Sequence, residues 1–331
     1  MLNSPIVLIV LAALCSFAVA AIAGKLIIPV LRALKAGQSI REIGPAWHSS
    51  KSGTPTMGGI IFVIGLLPCI AFGWKGLMDG AWTVLLVFAF SLVFGLIGFL
   101  DDFFKVKFKR NLGLTALQKL LLQLAAGALY LYILYRMGDL SCELYIPFFH
   151  VSWQIHPIVY IGFAMFVIVG CVNAVNLTDG VDGLATGVTM PVMIFFAVSA
   201  VAAQKLTLAL FPACLLGALA GFLCYNFYPA KVFMGDTGSL FLGAAVCGMA
   251  FALDMPLVLL LVGIIYIIET LSVIMQVLYF KATHGKRIFR MTPIHHHFEM
   301  GGWSEIKIFT VFTAVTCAMC ILAWIGMAAR Y

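Results

Sequence analysis

Long runs of apolar residues dominate the chain, with neither the two-residue alternation of a half-buried strand nor the polar stripe of a surface helix. Polar residues collect between the runs. A hydrocarbon layer about 30 Å thick takes roughly twenty helical residues to cross, and a spanning segment must satisfy its backbone polar groups internally. The pattern therefore predicts ten transmembrane helices, over 3–23, 57–74, 81–100, 118–135, 157–176, 187–203, 208–225, 239–253, 256–279 and 308–328. The fold class is all-α: a polytopic membrane protein forming a single domain over 1–331, with no linker-like composition to mark a second unit.

Composition sharpens this picture. Only 10% of residues are charged and 63% are hydrophobic, so the placement of each charge is informative. Nothing charged precedes Lys25, and without a basic leading region the first run predicts a retained helix instead of a cleaved signal. Lys25, Arg32, Lys35, Arg41 and Lys51 follow it, which assigns that flank to the cytoplasm and the N-terminus to the outside. Alternation then puts 101–117, 177–186, 226–238 and 280–307 on the cytoplasmic side. Of the twenty Lys and Arg residues, only Lys75, Arg136, Lys205 and Arg330 fall on the other side. Both termini are expected outside. The formal charge of +7 follows from this topology and needs no nucleic-acid partner, although basic flanks also attract anionic lipid or substrate. The nine cysteines sit mostly within apolar runs, without ligand spacing, and point to neither structural zinc nor a disulfide framework.

Most outside connections are short. The exception is 136–156, where Pro147, His150, Trp153 and His156 predict a small hairpin or an amphipathic lid at the membrane interface. On the cytoplasmic side, Lys51-Ser52-Gly53-Thr54-Pro55-Thr56-Met57-Gly58-Gly59 shapes a turn before the second run. Helix-start N–H groups with Lys51 suit an anion, and an ordinary membrane-entry turn explains the stretch equally well.

Carboxylates stand at the cytoplasmic ends of several runs. Asp101 and Asp102 follow Gly98-Phe99-Leu100; as helical neighbours they point in different directions and can hold different tasks. Asn173, Asn176, Asp179 and Asp182 recur at three-residue spacing, one stripe of a helix that is costly against lipid and better suited to a polar cleft. Asp236, between Gly235 and Gly238, predicts a tight loop presenting a hard oxygen ligand suited to magnesium, with Phe233 offering an aromatic face to a base. His295, His296 and His297 lie near Lys286, Arg287 and Arg290, and favour phosphate recognition over a zinc site. Glu269 is isolated inside the ninth run, where a buried structural hydrogen bond is the expected use.

Taken together, Gly98 to Asp102, Asn173 to Gly183, Phe233 to Ser239 and Pro293 to Glu299, with Lys51 to Gly59 upstream, resemble the polyprenyl-phosphate N-acetylhexosamine-1-phosphate transferase family over nearly the whole chain. The segment Thr292-Pro293-Ile294-His295-His296-His297-Phe298-Glu299 looks like the version that takes a muramoyl-pentapeptide substrate. The resemblance implies an enzyme of the bacterial cytoplasmic membrane. It would transfer phospho-N-acetylmuramoyl-pentapeptide from its UDP-linked donor to undecaprenyl phosphate, release UMP and form lipid I of peptidoglycan synthesis. It implies Mg2+ as cofactor, Asp236 as its ligand with Asp102 in support or positioning, Asp101 in proton abstraction and His295 in the catalytic set. Implied substrate contacts are Asn176, Asp179 and Phe233 toward uracil, Asn226 shaping the pocket, Asn173 and Asp182 beside them, and Lys51, Lys119, His296 and His297 around the phosphates and sugar. A homodimer is implied as well. The alternatives are a related enzyme using UDP-N-acetylglucosamine and a nonenzymatic lipid or substrate transporter. Adjacent carboxylates leave both direct transfer and a covalent Asp-phosphoryl intermediate open.

Overall fold

The computed structural model describes residues 5–34, 53–108 and 112–330, so Lys51 lies outside the described residues. Among these, ten helices or helix pairs are long and apolar enough to cross a membrane. They are α1 (Pro5–Ala33); α2 (Gly59–Gly65) with α3 (Leu67–Met78) as one span; α4 (Thr83–Phe108); α5 (Ala116–Met137); α6 (Pro157–Thr178); α7 (Leu184–Ala202); α8 (Leu206–Asn226); α9 (Gly235–Ala252); α11 (Ile264–Ala282); and α13 (Glu305–Met327). Two short helices, α10 (Leu259–Val262) and α12 (Ile294–Glu299), complete the helical set apart from isolated 3-10 turns. The predicted all-α polytopic architecture is what the chain adopts.

The outside connection forms the predicted hairpin. Strand β1 (Glu143–Ile146) pairs antiparallel with β2 (Val151–Gln154), Glu143 opposite Gln154 and Ile146 opposite Val151. The Phe148 N–H at its turn donates to the Gly326 carbonyl at 2.9 Å, tying the hairpin to the end of α13.

Several boundaries differ from the sequence expectation, α1 running on to Ala33 and the second span to Met78, and three of the differences bear on the site. Helix α4 does not stop at residue 100 but runs to Phe108, so Asp101 and Asp102 are helical and almost wholly buried. Helix α9 opens at Gly235, which puts Asp236 in a first helical turn and not in a loop. The ninth run breaks: a 3-10 turn at Pro256–Val258, then α10, then Gly263 at the N-cap of α11. Composition alone extends each apolar run until its first charge, whereas a helix continues past a charge that finds a partner inside the protein.

Helix α9 is the hub, with 94% of its most apolar window buried against 22–28% for α1, α5, α11 and α13, which form the lipid-facing periphery. Lipid tails offer no hydrophobic contrast with leucine, so helices associate here through close packing of small residues. Glycine meets that need at two crossings. A Cβ on Gly98 would lie 2.0 Å from the Asp236 carbonyl oxygen, and one on Gly243 would lie 2.5 Å from the Val172 Cα. These absences of side chain let α4 and α6 flank α9 closely, at the level where the acidic residues sit.

Candidate active site

The C-terminal ends of α4 and α6 and the N-terminal ends of α5 and α9 meet at one end of the bundle. Thr115 makes a capping box with Gln118, which starts α5 so that Lys119 stands in its first turn. On α4, Asp101, Asp102 and Lys105 share neighbouring positions through three- and four-residue spacing. Gly235 takes φ +68 at the start of α9, where a Cβ would fall 2.6 Å from Asp102 Oδ2. Glycine is therefore what lets α9 begin beside the acid pair.

The resulting geometry is specific. Asp101, Asp102 and Asp236 have ligand atoms within 4.8 Å of one another. Lys105 Nζ lies 2.5 Å from Asp101 Oδ2, 2.9 Å from Asp236 Oδ2 and 4.0 Å from Asp102 Oδ1, and Lys119 Nζ lies 3.0 Å from Asp236 Oδ2. Asn176 Nδ2 donates to Asp236 Oδ1 at 2.8 Å and to Ser239 Oγ at 2.7 Å. Asp102 Oδ2 accepts from the Thr237 N–H at 2.9 Å and the Thr237 hydroxyl at 2.7 Å, and Asp101 Oδ1 accepts from the Leu114 N–H at 2.8 Å. Three carboxylates this close, two of them buried, repel strongly unless cations and donors meet them, and two ammonium groups and four N–H or O–H donors do so.

The neighbouring predicted residues divide between site and scaffold. Asp179 caps the end of α6; the surrounding protein desolvates its carboxyl and pushes it well above the usual carboxylate range, and repulsion from Asp236, Asp102 and Asp182 adds to the shift. Asn173 sits one turn deeper and donates to Gln123 Oε1 at 2.9 Å. Asp182 points away: its Oδ2 accepts from the Ala230 N–H at 2.8 Å while its own N–H donates to Glu305 Oε2 at 3.1 Å. Asn226 is buried and donates to the Val232 carbonyl at 3.0 Å, holding the segment that leads into α9. Phe233 is half-buried, and its backbone bonds both Pro55 and Gly58, joining that segment to the turn before α2.

The structure also adds residues that the sequence did not single out. Lys105 is the chief of them: the extension of α4 past residue 100 turns it into the carboxylates. Its signal was the i, i+4 register with Asp101. Thr237, Ser239 and Gln123 belong to the same group, each one helical step from a residue already marked.

This acid centre on ten spans can be set beside known proteins. Residues 84–254 match the model of glycosyl transferase family 4, and residues 51–63 match the phospho-N-acetylmuramoyl-pentapeptide-transferase signature 1. The chain is 47% identical over 322 residues to a phospho-N-acetylmuramoyl-pentapeptide-transferase of Clostridium acetobutylicum, covering 96% of this chain and 99% of the relative. The chain belongs to the phospho-N-acetylmuramoyl-pentapeptide-transferase family. A relative of the same name from Caldanaerobacter subterraneus is 49% identical over 310 residues, covering 93% of this chain and 95% of its own, and one from Clostridium perfringens is 48% identical over 320 residues, covering 96% and 98%. The family-4 match takes in all the acidic residues of the centre and ends before the three histidines.

In this transferase those histidines go separate ways. His295 is fully buried, with Nδ1 3.0 Å from Glu269 Oε2. His296 Nδ1 lies 2.5 Å from Glu299 Oε2. His297 Nδ1 accepts from the Arg290 N–H at 3.1 Å, which shapes the loop before α12. The buried hydrogen bond expected of Glu269 is thus present, and its partner is one of the predicted site residues.

Proposed function

We propose that the chain transfers phospho-N-acetylmuramoyl-pentapeptide from its UDP-linked donor to undecaprenyl phosphate, releasing UMP and forming lipid I. The observation that carries this reading is the centre itself: three carboxylates and two lysines gathered where a lipid-facing bundle ends, the place where a water-soluble diphosphate and a lipid-borne phosphate can meet. The cytoplasmic membrane of a bacterium, with the acid centre on the cytoplasmic face and both termini outside, is the setting that the distribution of Lys and Arg supports. Association as a homodimer belongs to the same reading.

The residues present fit magnesium. The three carboxylates offer hard oxygen donors within one ligand sphere's reach. Asp236 is the most accessible of the three side chains at 17%, and it is the first choice of ligand. Asp102 is held to α9 through Oδ2, which leaves Oδ1 to support the ion or to fix the distance between α4 and α9. When bound, magnesium supplies charge neutralisation and polarisation of the diphosphate.

The chain's own groups do the rest. Lys105 and Lys119 offset phosphate charge, and Asn176 orients Asp236. An oxygen of the acceptor phosphate attacks the sugar-linked phosphorus of the donor, the bond from that phosphorus to the bridging oxygen breaks, and UMP leaves with that oxygen. Asp101 takes the acceptor proton where one remains; a phosphate is already largely ionised near neutral pH, so orientation and charge neutralisation carry most of the rate. Asn176, Asp179 and Phe233 face the nucleotide end of the donor, and His296 with the basic loop faces its phosphates and sugar.

A reconstituted assay tests this reading. Protein in vesicles with undecaprenyl phosphate and Mg2+ is expected to release UMP from UDP-N-acetylmuramoyl-pentapeptide and not from UDP-N-acetylglucosamine. UMP from the second donor alone would assign the chain the related specificity, and flux of intact substrate without UMP would make it a transporter. A burst of UMP without acceptor, with a trapped phospho-Asp, would replace direct transfer with two displacements.

A further inference from the structure

The hairpin at the end of the bundle away from the acid centre has two unlike faces, and the transfer chemistry uses neither. Residues directly opposite in an antiparallel pair share a face, and successive residues alternate between faces. The register puts Leu144 opposite Trp153 and Ile146 opposite Val151 on one face, and Glu143 opposite Gln154 and Tyr145 opposite Ser152 on the other. The first face is wholly apolar. The second is the water side: the Arg330 guanidinium stands 5.2 Å from the centre of the Tyr145 ring, and the Tyr145 hydroxyl lies 2.9 Å from His150 Nδ1. Arg330 also joins Asp139, Lys205 and Asp254 around a polar cavity, which marks that side as the wet one. Strand β1 packs against the 3-10 turn at Pro256–Val258, whereas all four residues of β2 are exposed. The bundle therefore leaves much of the apolar face uncovered: Val151 is 44% exposed, Trp153 60%, and Phe149 at the turn 75%.

Two attachments hold the hairpin at the level where spanning helices end. Its tip is tied to the last turn of α13, where the Phe148 ring occupies the space that Gly326 leaves; a Cβ there would lie 2.8 Å from Phe148 Cζ. Its base passes into α6 at Pro157, and Ile158 and Val159 in the first turn of that helix are exposed, as is Ile325 at the end of α13. The apolar face is thus continuous with helix surface that meets lipid. Strand β2 is the outer edge of a two-stranded sheet, and its unpaired backbone groups need water or headgroup partners, so it cannot sink into hydrocarbon. Tryptophan suits that boundary, with an apolar ring and a polar N–H. We propose that Leu144, Ile146, Val151 and Trp153, with Phe149 at the tip, rest on the boundary between lipid headgroups and acyl chains, an interfacial anchor that fixes the depth of the start of α6. Lipid is the occupant because the patch runs into lipid-facing helix surface and its height is set by two helix ends.

The test uses the full chain, depleted of cysteine, in vesicles of phosphatidylethanolamine and phosphatidylglycerol at less than one copy per vesicle. A nitroxide is attached through Val151→Cys, Ser152→Cys, Trp153→Cys or Gln154→Cys, one at a time. Its collisions with oxygen, which concentrates among acyl chains, are compared with its collisions with a water-soluble nickel chelate present on both sides of the membrane. Oxygen is expected to dominate at positions 151 and 153 and nickel at 152 and 154, with the ratio differing severalfold between neighbours as the strand alternates. A second measurement needs no cysteine: quenching of tryptophan fluorescence by lipids brominated near the glycerol or at the chain end. Trp153→Phe, at an exposed position, is expected to remove a component that the shallow bromine quenches more than the deep one. Equal nickel access at all four positions, or loss of no shallow-quenched component, would make the hairpin a solvated loop and overturn the proposal. Protection of 151 and 153 that appears only as copies per vesicle increase would assign the face to a second copy. Protection in cell membranes but not in vesicles would assign it to another protein, and either result overturns the lipid assignment. None of these readouts needs turnover, so they stand apart from the transferase reading.

Discussion

Individual side chains decide the chemistry here through what else they touch. Asp236 gathers Lys105, Lys119 and Asn176, and Asp102 is tethered by Thr237, so two acids with similar surroundings in the sequence are set to different work. Asp236→Ala is expected to lower magnesium-supported turnover by a factor of at least about 10³, since metal charge stabilisation is worth several kcal/mol; retained turnover in folded protein would remove its assigned role. Asp179 gives the pH dependence. Desolvation and three neighbouring carboxylates raise its folded-state value above the unfolded one. Its protonated form therefore favours the fold: that contribution is full below the ordinary carboxylate range and is lost as pH rises through the raised value. Asp179→Asn is expected to flatten the stability–pH curve across that window and to be more stable than the parent above it, as measured by thermal unfolding in detergent; an unchanged curve would contradict the assigned surroundings. The acids, amides and histidines were legible in the sequence because charge is rare in it. Lys105 was hidden for the same reason, since a lysine beside the membrane already has a topological explanation, and only the extension of α4 turns it inward. Asp182, on the three-residue spacing of Asn173, Asn176 and Asp179, accepts from the Ala230 N–H, and Asn226 donates to the Val232 carbonyl, contacts that spacing alone does not reveal.

At the level of elements, the site depends on how closely α4 and α6 approach α9. Periodicity and length identified ten spans, but they contain no information on crossing distance, which small residues set. The same limit explains the misplaced starts and stops: α4 gains two turns because its acids find partners on α9, and α9 starts early because Gly235 can take φ +68 beside Asp102. Gly98 at the α4–α9 crossing is the sensitive position. Gly98→Ala must move backbone that lies 2.0 Å from the new Cβ, and overpacking of this kind costs about 1–3 kcal/mol. Because the opposing atom is the carbonyl oxygen of Asp236 itself, activity is expected to fall along with melting temperature. Gly162→Ala on α6 is the control, with nothing within 4 Å of its Cβ and a better helix former in place of glycine. Equal behaviour of the two variants would show that the α4–α9 approach does not set the site.

The whole molecule places its charges at two ends. One end carries the acid centre, with the loop containing Lys286 and Arg287 reached from α11 beside it; the other carries Lys205 paired to Asp139 and Arg330 bonded to the Asp254 and Leu253 carbonyls, near the hairpin. Lys205 and Arg330 at the second end are engaged by protein groups 3.0 Å and 2.8 Å away. The positive-inside bias then orients the bundle with the acid centre toward the cytoplasm, where a nucleotide-linked donor is available, and the hairpin outward. Cysteine labelling tests the orientation directly. In a cysteine-depleted background, Lys286→Cys is expected to react with a membrane-impermeant thiol reagent only after cells are opened, whereas Ser152→Cys, on the exposed strand β2, is expected to react in intact cells. The reverse pattern would put the carboxylates on the face away from the nucleotide pool and so exclude a cytoplasmic UDP-linked donor, leaving the acid geometry intact but without access to its proposed substrate.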